Sequence, residues 1–128
     1  MKLTTFSEQR LRRSLSNYSV YGDFADPLYN YLVHGYYPGG FFSGVLANDF
    51  VGAMSRCHPG NHIEYIKALC SWLVNCCPES AWGGHQTLRS WCDADPEERR
   101  AALEAANLIF TEEQEVYLIL RGEPVTED

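Results

Sequence analysis

Cys57, His58 and His62 fall within six positions of one another, and His85 and Cys92 follow later in the chain. Thiolate and imidazole are the groups that hold zinc, but a closed site needs three or four of them in a tetrahedral set. The pattern does not supply one. There is no CxxC pair, and Cys76 and Cys77 are adjacent rather than spaced. Pro59-Gly60 separates His58 from His62, so the two imidazoles share no helix face. The same residues could make a thiol nucleophile with its base. Such a thiol needs an activating base aimed at it in an electropositive, partly open setting. Arg56 and His58 are only sequence neighbours of Cys57, and adjacent side chains diverge. Neither a metal, a cofactor nor a catalytic residue is expected, and the chain reads as a non-enzyme.

Three other groups of residues suit contact rather than bond-breaking. Nine aromatics crowd residues 18–42, among them Tyr21, Tyr29, Tyr36 and Tyr37. Tyrosine buries apolar area while keeping a polar tip, which favours it at binding surfaces. Asp49 stands on the edge of an apolar stripe, where a carboxylate must find a hydrogen-bond partner: a cap, or a group on another molecule. Glu97, Glu98, Glu112 and Glu113 head an acidic region that could lie against a basic protein surface or imitate the phosphates of DNA. On the opposite side of the ledger, Arg10, Arg12 and Arg13 could touch phosphate. The glycine turn Pro38-Gly39-Gly40 lacks the lysine and hydroxyl of a P-loop.

Short helices must position these groups. Thr5-Phe6-Ser7-Glu8 fits a capping box for a helix over about 6–16, with Leu11 and Leu15 inward. Asp26-Pro27 predicts an N-cap and first helical position, and Gly35 a left-handed stop after His34. Phe42, Val45, Leu46, Phe50, Ala53 and Met54 recur at helical spacing and predict one helix over about 41–56, with Gly44, Asn48 and Gly52 along one side. Asn61 and Glu64 suggest the start of a helix running to about Cys77, with Ile63, Ile66, Cys70, Leu73, Val74 and Cys77 on one face and Tyr65, Leu69, Trp72 and Cys76 widening it. It is expected to be the central helix. A short helix over 86–91 follows the Trp82-Gly83-Gly84 corner. Asp95-Pro96 opens another to about Asn107, and the Thr111–Gln114 capping box opens a last one closing at Gly122. The one segment that could take a strand is Tyr18–Tyr21. The expected fold class is all-α: a compact single-domain bundle of about six to seven short helices. It comprises residues 1–124, with a basic first helix, a Pro27–Trp91 core, acidic helices over 95–122 and a frayed 125–128 tail.

Bulk properties narrow the setting. With 128 residues and 45% hydrophobic residues the chain can build one core without disulfides or metal. Five cysteines, an odd number, and an N-terminus with no apolar run suggest a reducing, cytoplasmic location. No stretch is long and apolar enough for a membrane span. The net charge of −7 is uneven. In residues 1–20, Lys2, Arg10, Arg12 and Arg13 stand against Glu8, a net of +3; residues 93–128 set three arginines against eleven acids, a net of −8. That balance argues against general nucleic-acid binding.

Several stretches between Pro27 and Gly83 carry a resemblance. They are Tyr31-Leu32-Val33-His34-Gly35, Pro38-Gly39-Gly40-Phe41-Phe42, Val45-Leu46-Ala47-Asn48-Asp49-Phe50, Ala53, Arg56, Ile66–Asn75, Pro78 and Ala81-Trp82-Gly83. The chain resembles a widespread group of small phage and mobile-element proteins through them. The shared residues are glycine turns, caps and apolar stripes, so the resemblance implies a scaffold and donates no catalytic residue. It implies a protein that binds and disables a host macromolecular complex, a host protein or ribonucleoprotein, with anti-CRISPR proteins as the comparison class. The alternative is a small nucleic-acid-associated regulator using Arg10, Arg12 and Arg13.

Overall fold

Leucines four apart between arginines give the first helix one apolar side and one wet side. In the computed structural model, which describes residues 1–58, 60 and 62–121, this helix is α1 (Thr5–Asn17), and Leu11 and Leu15 are buried. Its N-cap is Thr4, whose hydroxyl accepts from the Ser7 amide, one residue earlier than the expected box. A turn and a 3-10 turn (Gly22–Phe24) lead into α2 (Ala25–His34), so Asp26 and Pro27 lie inside the first turn rather than ahead of it. No strand forms at Tyr18–Tyr21. Gly35, at φ 70°, closes α2 as expected.

The expected helix over 41–56 is two helices. α3 (Gly40–Leu46) and α4 (Phe50–Ser55) fold back on each other. Asn48 takes the left-handed region at φ 58°, and the Asp49 carboxylate accepts from the Gly52 amide, capping α4. Asn and Asp carry side chains that stop a helix and start another, and here they override the apolar period. Gly44 lies directly against the Ala53 backbone, which allows the two helices to close. The fold-back throws Phe50 out to solvent, 71% exposed, where the single-helix reading had it buried.

α5 (Ile63–Cys76) follows, and then a 3-10 turn (Glu79–Ala81) leads to α6 (His85–Asp93), α7 (Pro96–Ala105) and α8 (Glu112–Leu120). The N-cap expected at Asn61 and the stop expected at Gly122 lie outside the described residues. α5 buries Ile66, Leu69, Trp72 and Leu73, while Ile63, Cys70 and Val74 face outward. Its buried stripe is the Ile66–Leu69–Trp72–Leu73 side of the broad expected face, without its Ile63–Cys70–Val74 edge. The central helix is α2, not α5: Leu28, Tyr29, Tyr31, Leu32 and Val33 are all buried, and α2 packs against α1, α6 and α7. Its tyrosine is tied at both ends, Tyr31 Oη donating to Ala81 O (2.6 Å) and Tyr31 O accepting from Trp91 Nε1 (3.0 Å). Among the described residues the fold is all-α with eight α-helices. The excess over six to seven comes from the split at Asn48-Asp49. No helix among them is long and apolar enough to cross a membrane.

Candidate protein-contact surface

The carbonyls at a helix C-terminus lack intrahelical donors and carry partial negative charge, so a buried cation can serve them. Arg99, only 5% exposed, does this for two helices at once. Its Nε donates to Val33 O at the end of α2 (3.4 Å), and its Nη1 donates to Ala94 O just past α6. The fit is close enough that a Cβ on Gly35 would stand 2.8 Å from Arg99 Nη1. One guanidinium therefore clamps the end of α2, the end of α6 and the start of α7 into a corner.

From that corner the chain turns outward. Tyr36 and Tyr37 are 61% and 63% exposed, while Pro38 behind them is buried. Asp93, Asp95, Glu97 and Glu98, around the first turn of α7, are all exposed. His34 lies under the loop, its ring 5.3 Å from that of Tyr36. Burial first, then the N-terminal amine and the Arg99 cation, holds the His34 imidazole below its ordinary value, so at neutral pH it adds no positive charge. Gly35, next to Tyr36, lies against Arg99 and the Cys92 carbonyl, so neighbouring stretches of backbone carry the two open tyrosines and the four acids.

The remaining acids are arranged differently. Arg100 gathers Glu104 (3.0 Å), Glu112 (3.6 Å) and Glu115 around itself. Glu112 reaches Arg100 from an exposed position, and Glu113 is exposed beside it on α8. Glu115 is buried, and its carboxylate also accepts from the Thr4 amide (3.2 Å), the Thr4 hydroxyl and the Ser7 hydroxyl (2.7 Å). Burial pushes this carboxyl up, but the hydrogen bonds from Thr4, Ser7 and Arg100 outweigh it and hold it below the ordinary value. Ser7 Oγ in turn accepts from the Phe110 amide (3.1 Å).

No family model, curated protein or solved structure matches this chain.

Other residues singled out from the sequence lie elsewhere. Tyr29 is a core residue, its hydroxyl donating to Glu8 and its ring lying under Arg12; burial, then Glu8, pushes its phenol up to about 12. Tyr21 is half-buried and stacks flat on Tyr65, with centroids 4.1 Å apart. Asp49 pairs with His85 Nε2 (3.2 Å) besides capping α4; the Gly52 amide first and then His85 hold its carboxyl low. Arg12 is bound by Glu8 (3.2 Å) and Asp26 (2.9 Å). Arg10 donates to Asn107 O and lies over the Phe110 ring, and Arg13 is exposed.

The cysteine and histidine candidates disperse. His58 Nδ1 accepts from the Gly60 amide, and His62 meets Tyr65 edge-on. Among the described residues no three His, Cys, Asp or Glu side chains converge as a metal site would require. Cys77 is buried and its thiol pushed up by burial, but Cys70, expected on the apolar face, is exposed.

Sequence reasoning missed Arg99, Asp93 and Asp95. It also missed that α8 presents Val116, Tyr117, Ile119 and Leu120 to solvent. A signal for the last was present: Val116–Leu120 is apolar without a break, so no polar side existed to face water.

Proposed function

We propose that this chain is a non-enzymatic binding protein of the phage or mobile-element kind. It occupies a surface of a host macromolecular complex, such as a CRISPR-Cas-like defence assembly, and so inhibits it. The observation that carries the reading is the corner built by Arg99, where Tyr36 and Tyr37 stand open beside Asp93, Asp95, Glu97 and Glu98. Open tyrosines on a rigid support supply contact area at low entropic cost, and a rim of acids selects a basic partner surface and speeds encounter. Protein contact is favoured over imitation of DNA. A phosphate mimic needs a row of uncommitted charges, and Glu104 and Glu115 are turned inward on Arg100.

The test is capture from a host carrying active defence complexes, with the tagged chain as bait. Tyr36→Ala with Tyr37→Ala should lower retention at least about tenfold, as loss of anchor residues does. Glu97→Lys with Glu98→Lys should lower it too, with a steep dependence on salt. If the tyrosine variant is captured as well as the parent while reversal at Glu112 and Glu113 abolishes capture, the corner is not the contact and DNA mimicry replaces it.

A further inference from the structure

Helix α8 is built inside out. It meets the body through a carboxylate, Glu115, and Leu118 is half-buried, while Val116, Tyr117, Ile119 and Leu120 are each more than half exposed. An isolated surface leucine needs no explanation, but four large apolar side chains on one short helix do. Their combined open surface is on the order of a few hundred Å², the size at which a patch marks an interaction site.

Beside α8 runs a groove of about 630 Å³ along α1. Phe6, Phe110 and Leu118 give it apolar walls, and Arg10 and Arg13 give it positive charge. Gln9 lines it as well, and the Gln9 Nε2 donor is buried without a hydrogen-bond partner among the described residues. The groove therefore asks for a segment that is apolar along its length and carries carboxylates. α8 is such a segment: Glu112 and Glu113 in its first turn, then five apolar residues from Val116 to Leu120.

We infer that the α1 groove of one copy receives α8 of a second copy, and the reverse, about a two-fold axis. The interface is isologous, so one surface must carry both halves of the match. The charges at the groove and on α8 provide them, with Arg10 and Arg13 on one and Glu112 and Glu113 on the other. A stable interface covers roughly 800 Å² on each partner. The open α8 face alone falls short of that, so the groove must contribute to it as well. The surface is distinct from the Tyr36–Glu98 corner, so the inference extends beyond the proposed function, and either can fail without the other.

The test is sedimentation velocity of the full chain across a range of concentrations and salt. We expect a reversible dimer that weakens as salt rises. Tyr117→Asp with Leu120→Asp, both exposed and so tolerated by the fold, should weaken it at least about a hundredfold with an unchanged circular-dichroism spectrum. Arg13→Glu and Glu113→Arg should each weaken it about tenfold, and both changes in one chain should restore it to within about threefold of the parent. A chain that stays monomeric at millimolar concentration overturns the inference. So does a dimer indifferent to the α8 changes, a paired reversal that restores nothing, or a monomer whose α8 face takes a different protein instead.

Discussion

Glu115 is the most consequential single polar residue of the fold, and Glu115→Ala tests that directly. Its side chain is 8% exposed and that of its partner Arg100 11%. Removing one member of a buried pair costs about 3–5 kcal/mol, because the other charge is stranded. Arg100 would keep Glu104 and the Phe110 carbonyl, so the low end applies. That low end of about 3 kcal/mol includes the acceptor that Thr4 and Ser7 lose. For a chain of this length that corresponds to a fall in Tm of about 10 °C. Ser7→Ala alone should cost about 1 kcal/mol, since it also strands the Phe110 amide. Because Ser7 acts through Glu115, the double variant should cost less than the sum by at least about 0.5 kcal/mol. Urea denaturation of the four proteins reads all of this. A Glu115→Ala fall of under about 3 °C, or strict additivity with Ser7→Ala, would refute the hub.

Acid should act through the same carboxylate. Glu115 is held below its ordinary 4.5, so its contribution is complete above that pH and is lost as pH falls through the lower folded value; urea midpoints between pH 7 and 3 should drop more steeply for the parent than for Glu115→Gln. Arg99→Ala leaves the ends of α2 and α6 without their donor and should cost about 2–3 kcal/mol in chemical denaturation, with Arg99→Lys recovering less than half because one ammonium does not reproduce the planar fork. Gly44→Ala would place a Cβ 2.6 Å from Ala53 N and 2.7 Å from Ala53 Cα, forcing α3 and α4 apart, for a loss of about 1–3 kcal/mol and a visible change in near-ultraviolet circular dichroism. An unchanged Gly44→Ala Tm would mean that the two helices do not close there.

The elements that local chemistry dictates were legible. The Thr111–Gln114 box is formed reciprocally, Gly35 is left-handed, and Pro96 opens α7. What misled was periodicity read across a break. Phe42 to Met54 keeps a 3.6-residue apolar rhythm on both sides of Asn48-Asp49, and only the capping side chains reveal two helices. The α5 stripe was too broad because that helix is apolar nearly all round, which leaves the inward side to tertiary packing. The contact corner was half legible. Exposed tyrosines and acids could be named one at a time, but their meeting depends on Arg99 reaching Val33 O, 66 positions away, and no local pattern encodes that. Tyr29 was lost to the core for the same reason, through Glu8 and Arg12 of α1.

The bond between Thr4 and Glu115 spans 111 positions. On the ribosome, α1 emerges long before the carboxylate that fastens it, so it must wait for the segment through α8 to be made. Assembly is therefore finished by closing a ring rather than by adding a last layer. Any change that removes α8 would release α1 as well, and protease sensitivity at α1 would report damage done at residue 115.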